Sequence, residues 1–362
     1  MILFWLCSFY TAVHLPTAQD AVSSADSRLA DLVSGYVLRS AFCHSPSTKV
    51  THPHPASYPQ ISIQEVTLGR KVTSEFQYGE LAPIVSLEVA VRWGSEWPVR
   101  LSLRPAKRLL LANITSKSRG ADCLTGSGFI GVSKDSRYCV GYEVLSEDEH
   151  CSYRTQYYLL DVAQGRTLSK KVLCNAFPPD GFSGVVEAGD ILCYFLPRYA
   201  SLEAMPLVSL TTTGEWAYLP ALSPHMIKAS EDGTKVALVD APELSDFGAP
   251  QAWFFALQVR TSDLKKTLWK HRVNLANRGA VLAAVLWSTD GLLVTVVTQG
   301  GYGRNAHIYT FDAETGTAGP VIELPFAKLP RPILLMPVRE PFDARAVFGV
   351  VVDSKHKKSE TP

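Results

Sequence analysis

The sequence predicts an all-β fold, a β-propeller of six or seven blades behind a short N-terminal helix. Three stretches follow one plan: Val132 to Tyr142, Ala229 to Val239 and Trp287 to Val296 each read as strand, tight turn, strand. Each is followed, after a loop, by a second hairpin, turning at Asp161 to Gly165, after Leu257 at Asp263, and at Asp312 to Gly316. Four short strands per unit, repeated along the chain, is the pattern of propeller blades.

The chain begins with Met1 to Val13, an apolar run too short to span a bilayer, then His14, Pro16 and small residues up to Ala21. Residues 1–21 are read as a signal peptide, although no Lys or Arg precedes the run. Ser24 to Phe42 places Leu29, Leu32, Val33, Tyr36 and Val37 at helical spacing, which predicts one amphipathic helix. His44 to Gln60, rich in proline and carrying His44, His52 and His54, reads as an extended linker, so residues 22–60 are expected to precede the propeller. The propeller itself is expected over residues 61–352, with a polar tail at 353–362.

Within that span the turn acids Asp135, Asp190, Asp232 and Asp290 mark successive units about 50 residues apart, slightly long for a four-stranded blade. The Asp190 unit keeps its hairpin from Val185 to Phe195 but lacks the serine. Diverged units are expected at Arg100 to Leu111 and at Leu335 to Val352. The last offers only about two strands, so its partners must come from the other end of the chain, and Ile61 to Leu68 is the expected one.

The S-x-D-G hairpins, clearest at Ser133/Asp135, Ser230/Asp232/Gly233 and Ser288/Asp290/Gly291, and the D-x-x-x-G turns resemble those of the TolB, YVTN and WD-repeat superfamily of propellers. The resemblance covers Phe129 to Pro325, and the WD dipeptide is absent, which favours the TolB-like branch. It implies a fold and not an activity, because such propellers serve as enzymes, receptors and scaffolds. The recurring Ser and Asp have a local explanation: their oxygens accept turn N–H groups, so they are expected to be structural.

Seven cysteines become six without Cys7, an even number that suits an oxidising compartment. Counting from the Asp161 to Arg166 turn, Cys151 and Cys174 fall within one pairing step of each other, which makes a disulfide or two edge thiols the open alternatives. Cys139 and Cys193, inside apolar strands, are expected as buried thiols.

Catalytic signatures are sparse. No G-x-S-x-G elbow is present, and Gly300 to Asn305 has no helix behind it to hold phosphate. No cofactor and no metal site is expected: the His52/His54 pair lacks a carboxylate in register, and Glu147 to His150 reads as a solvated loop. A balance of 35 basic against 34 acidic residues provides no field for nucleic acid.

Loop lengths point to a surface. In an antiparallel blade the first and third turns share one face, and the middle loop shares the other with the blade-to-blade connections. The middle loops are long at Leu145 to Tyr153, Leu196 to Pro206, Asp240 to Gln251 and Thr298 to Ala306. Their residues Arg198, Tyr199, Glu243, Asp246, Phe247, Tyr302, Arg304 and Asn305 are the candidate binding set. The expected function is a non-catalytic, exported, monomeric propeller binding another protein or an envelope ligand. The alternatives are a lyase or hydrolase with its site at the central channel, or a cytosolic scaffold.

Overall fold

The computed structural model describes residues 27–44, 60–69, 79–80, 127–133, 137–145, 154–161, 164, 166–174, 176–199, 206–222, 224–240, 254–277, 280–300, 305–324 and 332–341. One helix, α1 (Ser27–Val33), and twenty strands lie among them: β1 (Tyr36–His44), β2 (Gln60–Leu68), β3 (Gly79–Glu80), β4 (Ser127–Val132), β5 (Tyr138–Leu145), β6 (Arg154–Asp161), β7 (Arg166–Cys174), β8 (Ala176–Ala188), β9 (Ile191–Tyr199), β10 (Leu207–Thr211), β11 (Trp216–Leu219), β12 (Met226–Ala229), β13 (Lys235–Asp240), β14 (Phe254–Thr261), β15 (Thr267–Asn274), β16 (Val281–Trp287), β17 (Leu293–Gln299), β18 (Ala306–Asp312), β19 (Ile322–Leu324) and β20 (Pro332–Pro337).

These strands form five four-stranded sheets. Four are antiparallel meanders of consecutive strands, β4 to β7, β8 to β11, β12 to β15 and β16 to β19. The first strands of neighbouring sheets, β4, β8, β12, β16 and β20, lie beside one another and form the inner wall. The four-strand units expected from the turn spacing are therefore the sheets observed. The diverged unit at Arg100 to Leu111 lies outside the described residues.

The fifth sheet joins the two ends of the chain in the order β20, β1, β2, β3. Here the structure differs from the sequence-based expectation in two ways. The helix predicted over Ser24 to Phe42 is confined to Ser27–Val33, and Tyr36–His44 is a strand. The final strand pairs with β1, Leu38 lying between Leu335 and Val66, while β2 joins only through β1. Tyr36 and Val37 extend the helical spacing of Leu29, Leu32 and Val33 by coincidence. They are buried because β1 is a middle strand, covered on both faces.

Burial is concentrated between sheets. Phe255, Leu257, Trp287, Val296, Tyr309 and Phe311 fill the space between the third and fourth sheets. Leu38, Leu68, Leu293, Ile308 and Leu335 do so between the fourth and fifth, with Leu29 and Val33 of α1 added. Indole N–H groups clasp adjacent sheets: Trp216 donates to the Ser169 hydroxyl, Trp269 to the Ala313 carbonyl and Trp287 to the Lys228 carbonyl. An indole that buries its ring and still finds an acceptor suits such a seam.

Cys139 and Cys193 are buried free thiols, as expected, and burial pushes both well above the usual thiol range. Cys174 is disulfide-bonded. A register shift at Leu159/Leu160 sets Cys174 opposite Arg154, so Cys151 is three residues from the facing position rather than one pairing step away. Cys151 itself lies outside the described residues.

Candidate functional site

The two ends of the sheets are chemically different. At one end the tight turns consume their own polar groups. The Ser230 hydroxyl accepts the Lys235 N–H and donates to Asp232, which also takes the Thr234 N–H. Ser288 repeats this with Leu293 and Asp290, and Ser133 takes the Tyr138 N–H. The second hairpins are closed likewise. Asp312 accepts N–H groups from Glu314 and Thr315, Asp161 accepts from Gln164, and Asp263 accepts from Lys265. The Thr261 hydroxyl and then the Lys265 N–H hold the Asp263 carboxyl below the usual carboxylate range. The motif serines and aspartates are thus structural.

The Asp190 hairpin shows what happens without them. Val186 and Ala188 stand four and two residues before Asp190, where Ser288 and Asp290 stand relative to Leu292. Gly189 keeps the left-handed backbone of Gly291, but Glu187 is also forced to φ 44°. A non-glycine residue there is strained.

At the opposite end lie the middle connections and the links between sheets. Residues 146–153, 200–206, 241–253 and 300–305 join second to third strands there, as the loop lengths predict. The strand order adds a fifth. Because β1 and β2 are the second and third strands of their sheet, residues 45–59, read from sequence as a linker before the domain, are its middle connection.

Of the candidate residues, Arg198 and Tyr199 close β9, opposite Phe177 and Ala176. Asn305 immediately precedes β18; its side-chain amide donates to Glu323 at 2.6 Å, and its carbonyl accepts from Asn277 at 3.1 Å. Glu243, Asp246, Phe247, Tyr302 and Arg304 lie outside the described residues. The structure thus brings Asn305 together with two residues that sequence reasoning missed.

Other polar groups gather at this end. His225 and Asp240 face each other at 3.4 Å where β12 begins and β13 ends. Tyr309 accepts the Ala276 N–H through its hydroxyl at 2.9 Å. Beside it His307 is buried, with Nδ1 unpartnered; burial holds its ring below the ordinary histidine value, and Glu323 opposes that effect. None of these had a sequence signal, because each is a single polar residue whose partner is set by strand register. Among the described residues no group of three metal-ligating side chains occurs, and no helix is long and apolar enough to cross a membrane.

No protein-family model matches the chain, and no curated protein matches it. Solved structures do. A protein assigned as TolB from Agrobacterium tumefaciens shares 12% identity over 83% of this chain and 93% of its own, with a TM-score of 0.36. The β-propeller domain of the Trilobed protease from Pyrococcus furiosus shares 10% over 55% of this chain and 57% of its own, at 0.35. Acylaminoacyl peptidase from Pyrococcus horikoshii shares 10% over 55% of this chain, at 0.37, and the match spans only 32% of that enzyme. At such identities no residue role passes from these proteins to this chain.

Proposed function

We propose that this chain is an exported propeller of six or seven blades that binds another protein or an envelope ligand through the end carrying the middle connections. One observation carries the reading: the asymmetry between the two ends. The tight turns spend their hydroxyls and carboxylates on their own backbone, whereas the other end gathers five long connections on a rigid β scaffold. The bonded state of Cys174 supports an oxidising compartment. Cys151, three residues before β6 in the sequence, is the partner proposed for it.

The test is a comparison of the two ends. Arg198, Tyr199, Tyr302 and Arg304 are replaced by Ala, because Tyr and Arg dominate binding hot spots. Capture of the partner from native extract should fall, while the melting temperature is expected to move little, by the equivalent of under about 0.5 kcal/mol. Lys265, on the tight-turn end and 85% exposed, serves as the control. Thr289 is unsuitable for that purpose, because its hydroxyl donates to Glu340 and its N–H to Leu335. Equal loss of capture in both sets removes the assignment.

A further inference from the structure

The outer rim of the third sheet carries an unbalanced charge. From Lys265 to Arg272 the chain reads Lys-Lys-Thr-Leu-Trp-Lys-His-Arg, without an acidic residue. Most of this run is β15, the last strand of its sheet, which pairs with β14. Alternate backbone N–H and C=O groups of β15 therefore face outward, and no other described segment pairs with that edge. Lys266, Lys270 and Arg272 are exposed, and among the described residues none of them has a carboxylate partner. Lys265 has one, Asp263 at 3.7 Å.

Strand register arranges these cations. Lys270 and Arg272 stand opposite Gln258 and Ala256, two residues apart, and so share one face of the sheet. Asp240, the carboxylate beyond Ala256 in that row, faces His225 at 3.4 Å instead. The Arg272 guanidinium lies over the Phe254 ring at 3.6 Å, which orients it while leaving the N–H donors at its rim directed outward. The other outer strands differ. On β7, Lys171 lies over the Tyr218 ring and Arg166 stands opposite Asp161. The short strands β3, β11 and β19 carry no basic residue.

We propose that the outer edge of β15 receives an acidic polypeptide segment as an added strand, with carboxylates at alternate positions meeting Lys270 and Arg272. The spacing supports the match, because side chains on one face recur every second residue, about 6.8 Å apart, in either strand. A polyanion without a peptide backbone satisfies the cations and leaves the outward N–H and C=O groups unpaired. A second copy of β15 fits worse still, since edge-to-edge pairing sets cation against cation. The edge lies on the outer rim of its sheet, so the proposal does not depend on a partner at the middle-connection end.

The test uses the full chain and a fluorescein-labelled heptapeptide of alternating Glu and Val, with binding read by fluorescence anisotropy at low salt. The comparison probes are the Lys/Val counterpart, the Glu/Val peptide N-methylated at consecutive central residues, and heparin. The Glu/Val peptide should bind, the N-methylated and Lys/Val peptides should not, and Lys270→Glu combined with Arg272→Glu should weaken binding about tenfold or more. On binding, hydrogen exchange should slow in Thr267–Asn274 of the native chain and stay unchanged in β7. Binding that survives N-methylation, or heparin binding in place of the peptide, marks a simple polyanion contact and overturns strand addition. No binding at millimolar peptide, equal binding of the Lys/Val counterpart, or equal binding by the native and charge-reversed chains overturns it as well. Should the variant fail to fold, exchange in the native chain decides: protection in β15 supports the proposal, and its absence there overturns it.

Discussion

Replacing Leu38 with Ala tests whether the two chain ends are held together by burial in the fifth sheet. Leu38 has no exposed surface, lies between Leu335 and Val66, and packs with Leu68 and Leu293. Removing its branched end creates a cavity lined by strands on both sides, so the site collapses poorly. The cost should be in the upper part of the range for such changes, about 3–5 kcal/mol. Against a typical total of about 5–15 kcal/mol this is a large fraction. In urea, with a slope of about 3 kcal/mol per molar, the midpoint falls by about 1–1.7 M. Val172, 38% exposed on β7, is the control, and its replacement by Ala should move the midpoint by less than about 0.2 M. Equal midpoints for the two variants would refute the reasoning. β1 would then not be the buried middle strand that joins the chain ends.

Ending the chain before Pro332 removes β20 and uncovers Leu38 and Leu68; hydrogen exchange should show loss of protection in β1 and β2 before β12 to β15. Ser288→Ala leaves the buried Leu293 N–H without its side-chain acceptor and should cost about 1–3 kcal/mol by urea unfolding. His271 and His307 both sit below their ordinary values, chiefly because of burial. Their folded forms therefore bind fewer protons than the unfolded chain. Stability should be level above about pH 6.5 and fall below it, and His307→Gln should flatten part of that slope. Peptide mapping of unreduced protein should recover Cys174 joined to Cys151, with Cys139 and Cys193 alkylated only after unfolding; Cys174 linked to another cysteine would reject that pairing.

Much of the candidate end was legible in loop lengths, because a middle connection longer than a turn needs no tertiary information to be noticed. The contacts made there were not. Asn305 meets Glu323 and Asn277 only because β18 pairs with β19 and the link from β15 to β16 passes beside it.

The sequence by itself determined the hairpins. Ser230 with Asp232, Ser288 with Asp290, and Asp312 with Thr315 satisfy turn N–H groups within five residues, so the signal is local and survives in any context. The tertiary structure decided what Tyr36–His44 became. Its apolar residues fit a helix as well as a strand, and the choice between them rests on Leu335 and Val66, partners that arrive from opposite ends of the chain. Burial on both faces outweighs local periodicity there, because hydrophobic burial is non-directional and records no position along the sequence.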